Sequence, residues 1–175
     1  MKSVEFANYV LNVSKDMNIR LNVEQLQMVM FMVYVEYYYK YDSCLFMDHW
    51  ISENRRLHIE HVWYVFCGYG MTEICPFLER EVPTLSTEVE SMCRFYIKEI
   101  KKLLLRQMEM CLIEGFPQII VSFGRKRYSP KEINRLIKLE LSEEQQFLKR
   151  FRADLKELIA EIKSKNNLPE IKIEG

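Results

Sequence analysis

Glycine and proline are scarce, five of each in 175 residues. A turn-rich all-β architecture needs both at its reversals, so helices are favoured instead. An excess of either charge is also missing. Lys and Arg total 25, and so do Asp and Glu, so no overall field draws the chain to nucleic acid or an anionic surface. The five cysteines (Cys44, Cys67, Cys75, Cys93 and Cys111) include no CxxC pair, and their number is odd. Free buried thiols in a reducing compartment are expected. No uncharged run exceeds 12 residues, whereas a membrane helix needs ~20 apolar ones. The first 16 residues carry charges where a secretion signal has its apolar run, so a cytoplasmic location without membrane contact is expected. The chain also lacks a P-loop, a dinucleotide-binding glycine pattern and a nucleophile elbow.

What the sequence does hold is apolar and helical. Hydrophobic residues make up 49% and charged residues 29%, a globular balance. "LQMVMFMVYVEYYYKY" (26–41) has no glycine or proline and one charge before its last two residues. It follows Asn22 and Gln25, spaced as a capping box. A helix apolar nearly all round is a buried one, so 22–41 is expected to be the centre of a mainly α, compact multi-helix bundle. Around it the pattern predicts a helix over 3–15 opened by Ser3, and a loop over 41–53 plugged by Leu45, Phe46 and Trp50. A helix over 55–68 would bury Ile59, Val62, Trp63 and Phe66. A short helix or turn around Pro76 is expected next, then one long helix from a Thr87/Glu90 capping box to about Glu114, stopped at "EGFP". One short strand or hairpin is expected near 118–124, where "QIIVSFG" is β-branched. Ser129, Pro130 and Glu132 announce another helix. The domain reading is 1–142 as one helical domain. A C-terminal helix and tail, 143–175, pack on it or make a homo-oligomer through the stripe Leu148, Phe151, Leu155, Leu158 and Ile162.

Two clusters carry candidate chemistry. His58 and His61 stand three apart on the expected helix, with His49 nearby. Imidazoles so spaced can chelate a metal, but the zinc-protease pattern needs a spacing of four, so they are read first as surface histidines. No catalytic residue, metal ligand or cofactor is therefore assigned, and a metal-dependent enzyme at the histidines is the third-ranked reading. "GRKRYSPKEINRLIK" gathers Arg125, Lys126, Arg127, Lys131, Arg135 and Lys138 at a helix start. That segment suits phosphates or an acidic protein, which makes a nucleic-acid-associated or phage regulatory protein the second-ranked reading.

Residues 4–74 also carry an ordered series of small motifs. Ala7, Asn8 and Tyr9 lie in the first helix, and Leu26, Gln27 and Phe31 in the second. Leu45 and Phe46 form the plug, followed by Trp50, Trp63, Tyr69 and Gly70. This series resembles the Panacea antitoxin-like domain family of SocA-like, phage-associated proteins. The chain departs from the family where Ser52, Glu53 and Asn54 replace its usual Gly-Pro-Val. The resemblance implies an α-helical module that neutralises a partner toxin encoded in a two-gene module. It would do so by binding and not by catalysis. The expected partner-binding residues are His58, His61, Arg125, Lys126, Arg127, Lys131 and Arg135.

Overall fold

The computed structural model describes residues 1–74 and 82–141, together with 156, 157, 159–161 and 164. The fold is mainly α with one small sheet. In chain order it runs α1 (Ser3–Asp16), α2 (Val23–Tyr41), β1 (Trp50–Glu53), β2 (Arg56–Ile59), α3 (Glu60–Phe66), a 3-10 turn (Cys67–Tyr69), α4 (Thr87–Lys101), α5 (Leu105–Gly115), β3 (Arg125–Tyr128) and α6 (Pro130–Leu141). No helix among the described residues is long and apolar enough to cross a membrane.

Helix α2 is the centre, as its composition requires. Every residue from Val23 to Glu36 is buried. Its start is the predicted capping box: Gln25 N–H donates to Asn22 Oδ1 at 2.8 Å, and Asn22 N–H to Gln25 Oε1 at 3.0 Å. Helices α1 and α4 pack along it. At its middle lies an aromatic cluster in which Phe31 and Tyr34 meet Trp50 edge-on, with ring centroids 5.6 and 5.2 Å apart. Phe46 sits 5.0 Å from Tyr34, and Phe116 sits 4.8 Å from Phe31. Such offset rings add about 0.5–1.5 kcal/mol per pair beyond their burial.

Several local expectations are corrected. Ser3 does not cap α1. Lys2 N–H bonds the Glu5 carboxylate at 2.6 Å, while Ser3 Oγ donates to Asp48 across the fold at 2.7 Å. The long helix over 87–114 is two helices, separated at Lys102–Leu104, and its cap is Ser86, whose Oγ accepts from Val89 N–H. Gly115 is the last helical residue and Phe116 the cap. Cys93 and Cys111 are buried as expected, and burial pushes their thiols up to about 12 and about 11. Cys67 is exposed and Cys44 half-buried. Of the family-matching positions expected in the core, Asn8, Trp63 and Tyr69 are only half-buried and Gly70 is exposed. Gly70 instead supplies a φ of 57° at the end of the 3-10 turn.

The largest correction concerns the sheet. Trp50–Glu53 is a strand, not loop, and Arg56–Ile59 is a strand, not the start of a helix. The helix begins only at Glu60. Residues 118–124 form no strand, because their backbone is bound elsewhere. Val121 N–H donates to Ser52 Oγ and Val121 O accepts from Arg55 N–H, both at 2.9 Å. The third strand is the basic segment that follows, giving the antiparallel order β2-β1-β3. The short element expected around Pro76 and the stripe Leu148–Leu158 with Ile162 lie outside the described residues. Within the described part of the C-terminal segment, Ile159 is buried in the core, and Lys156 Nζ lies 5.3 Å from the Phe95 ring centroid.

A side chain of helix α2 clasps the backbone of the hairpin. Ile59 N–H donates to Gln27 Oε1 at 2.7 Å, and Gln27 Nε2 donates to Ile59 O at 3.3 Å. Both partners are buried. Gln27→Ala would leave the Ile59 backbone groups without partners and should lower unfolding stability by roughly 1–3 kcal/mol. An unchanged urea midpoint would show that this bond does not anchor the hairpin.

Candidate functional site

The candidate surface follows from the alternation of side chains along the three strands. In β1, Trp50 and Ser52 point into the core, so Ile51 and Glu53 point out. The pairing aligns Ile51 with His58 and with Arg127, and Glu53 with Arg56 and with Arg125. Two rows therefore share the outer face, His58–Ile51–Arg127 and Arg56–Glu53–Arg125. Leu57, Ile59 and Tyr128 are buried on the inner face. Tyr128 is fixed there by its hydroxyl, which donates to Ile119 O at 2.6 Å.

Beside this face is an open cleft of about 400 Å³. Ile51 and Glu53 line it with Asn54, Arg56, His58 and Arg125, and Trp63 and Tyr64 complete the lining from α3. The His58 and Trp63 rings are stacked, centroids 4.1 Å apart and planes 9° apart. Tyr64 is 63% exposed.

Most of the charge on the outer face is neutralised within the fold. Glu24, 8% exposed on α2, takes His58 Nε2 at 3.0 Å and Arg56 Nη1 at 3.5 Å. Arg56 Nε also reaches Glu109 on α5 at 3.2 Å. Arg127 grips the Glu60 carboxylate with two bonds of 2.6 and 3.0 Å, and that bonding holds the Glu60 carboxyl below the usual carboxylate range. Lys126 projects to the opposite side of β3, its Nζ 5.1 Å from the Tyr128 ring centroid. Arg125 is exposed and has no ion pair among the described residues.

The structure thus brings together His58, Arg125 and Arg127 from the expected partner-binding set. His61 is exposed on α3, and Lys131 and Arg135 are exposed on α6. None of these three lines the cleft. The premise of a histidine pair on one helix fails, since His58 is on a strand and His61 on the helix after it. Among the described residues, no group of three or more His, Cys, Asp or Glu side chains is placed to hold a metal. Arg56 and Tyr64 were not singled out from sequence. The alternation in "RLHI" was the signal that would have placed Arg56 beside His58.

The hairpin turn carries the strain. Asn54 and Arg55 have φ of 50° and 68°, so both central residues are left-handed, the geometry of a two-residue hairpin loop that favours Asn-Gly. Asn suits this region because its short polar side chain can bond the local backbone, whereas Arg lacks that compensation. Arg55→Gly should therefore raise unfolding stability by about 1 kcal/mol, part of the left-handed penalty being offset by glycine's unfolded-state entropy. Paired denaturant titrations of the two proteins check this, and a destabilised variant would show that the Arg55 side chain supports the fold. No protein-family model matches the chain, and neither a curated protein nor a solved structure does.

Proposed function

We propose that this chain is a non-enzymatic protein-binding module, an antitoxin-like neutraliser that docks its partner on the outer face of the sheet. One observation carries the reading. The register gathers Arg56, His58, Arg125 and Arg127 on one face, against the aromatic wall of Trp63 and Tyr64. Arginine and aromatic side chains supply most of the energy at protein interfaces, because they combine large contact area with directed bonds. Glu24, Glu109 and Glu60 hold the neighbouring cations in place, so the face meets a partner already ordered. The neutraliser role is supported by the series over residues 4–74, whose elements pack as α1, α2, the hairpin and α3.

A second reading, single-stranded nucleic acid, is favoured by the exposed Tyr64 ring, which lines the same cleft as Arg125, since bases stack on aromatic faces in positively charged grooves.

The test is co-expression with the product of the adjacent gene, followed by affinity capture. The wild-type chain should rescue growth and retain the partner. Arg125→Glu should weaken capture by about tenfold or more, and more strongly at low salt. An adjacent product that is harmless or is not captured would overturn the neutraliser reading. A gel shift with an oligonucleotide, lost in the same variant, would replace it with the nucleic-acid reading.

A further inference from the structure

The two edges of the sheet are treated differently, and the register shows how. Ile59 directs its N–H and C=O away from β1, because Gln27 takes both. Trp50, paired with Ile59, therefore turns its own backbone groups the other way, toward β3. Hydrogen-bonding direction alternates along an antiparallel strand, so Ser52 also faces β3. The bonded pairs on that side are Trp50 with Tyr128 and Ser52 with Lys126. Arg125 and Arg127 must then point their N–H and C=O outward, at the free edge. No backbone hydrogen bond to either outward pair occurs among the described residues. The β2 edge is sealed at Ile59 by a side chain of α2, whereas among the described residues nothing bonds the β3 edge at Arg125 and Arg127.

We propose that this edge accepts an extended acidic segment of a protein partner, which adds a fourth strand beside β3. Strand addition derives its affinity from backbone bonds and its selectivity from alternate side chains. Here four outward backbone groups, on Arg125 and Arg127, supply the bonds. Side chains of the added strand opposite these residues fall on the outer face, within about 5 Å of the arginines. A carboxylate there complements Arg125, Arg127 being held already by Glu60. A second copy of this chain does not, because a β3–β3 pair brings arginine against arginine. An apolar strand would leave the Arg125 charge desolvated and unpaired. The inference rests on the outer face being the docking surface, and it names the chemistry and posture of what docks.

The probe is an acetylated, amidated octapeptide of alternating Glu and Val, titrated into the full chain while backbone amide exchange is followed by NMR. Binding should slow exchange of the Arg125 and Arg127 amides by about tenfold or more, and leave those of Lys126 and Tyr128, already bonded to β1, little changed. A peptide of the same sequence N-methylated at its Glu residues lacks the donors that face the Arg125 and Arg127 carbonyls in an antiparallel pairing and should not protect these amides. Arg125→Glu should weaken the Glu-Val peptide about tenfold. Three results would overturn the proposal: no binding at millimolar peptide, equal binding of the N-methylated peptide, or protection at Lys126 and Tyr128 in place of the arginines. Binding of oligo-dT in place of the peptide would also overturn it and assign the face to nucleic acid. Loss of growth rescue with edge protection intact removes the toxin partner alone, whereas rescue without edge protection removes strand addition alone.

Discussion

A helix buried on every side gives its polar residues no water, and each must find a partner inside the protein. Helix α2 carries Glu24, Gln25 and Gln27 in its first five residues. Gln25 closes the helix start. The other two turn toward the hairpin, Gln27 clasping Ile59 and Glu24 taking His58 and Arg56. Satisfying the helix therefore positions β2, and β2 positions β1 and β3 by ladder pairing. The sheet is small, two-residue loop included, and a hairpin of that size has little stability in isolation. Its order is borrowed from the helix beneath it.

The same arrangement decides which charges are available. A carboxylate at 8% exposure is costly to bury unless it is compensated. His58 and Arg56 compensate Glu24, so their role is internal even though they line the cleft. Arg127 is similarly committed to Glu60, which opens α3 and favours an acidic residue at the positive end of the helix. Among the described residues on this face, Arg125 has no ion pair. Of the basic segment, Arg127 is paired and Lys126 is held over a tyrosine ring, while Arg125, Lys131, Arg135 and Lys138 have no ion pair among the described residues.

The helical part of the architecture was legible because its signals are local. A capping box at Asn22, an unbroken apolar run and the Ser129–Pro130 start each describe their own neighbourhood, and each element forms there. The sheet was not legible for reasons that are equally physical. The hairpin turn is Asn-Arg where Asn-Gly would have announced it. Ile59, Val62 and Phe66 satisfy a helical spacing even though the first of them is on a strand, since short apolar runs do not distinguish the two periods. The true third strand is "RKRY", whose three exposed cations carry none of the usual β-branched enrichment. It is a strand because Trp50 and Ser52 offer a ladder, a tertiary fact that no window of sequence contains. The candidate face inherits this blindness. His58, Arg125 and Arg127 were visible one by one, and their convergence depended on a register that only the folded hairpin defines.

Edge strands in natural proteins are commonly guarded by lysine and arginine, because charge discourages another strand from adding. That device discriminates by chemistry and does not simply forbid. Cations on an edge repel a second cationic edge and an apolar one, and leave an acidic segment as the strand that gains from approaching. The β3 edge is also stiff. Tyr128 is anchored to Ile119, Ser52 to Val121, and Arg127 to Glu60, so docking would order little of this chain and the conformational cost would fall on the incoming segment. A disordered acidic stretch is suited to such an edge, because it meets a template whose donors and acceptors already lie in line. Pre-organisation on one side and flexibility on the other give a contact that is selective without being large. Its reach would be set by four residues of strand and by Arg125, which has no ion pair among the described residues.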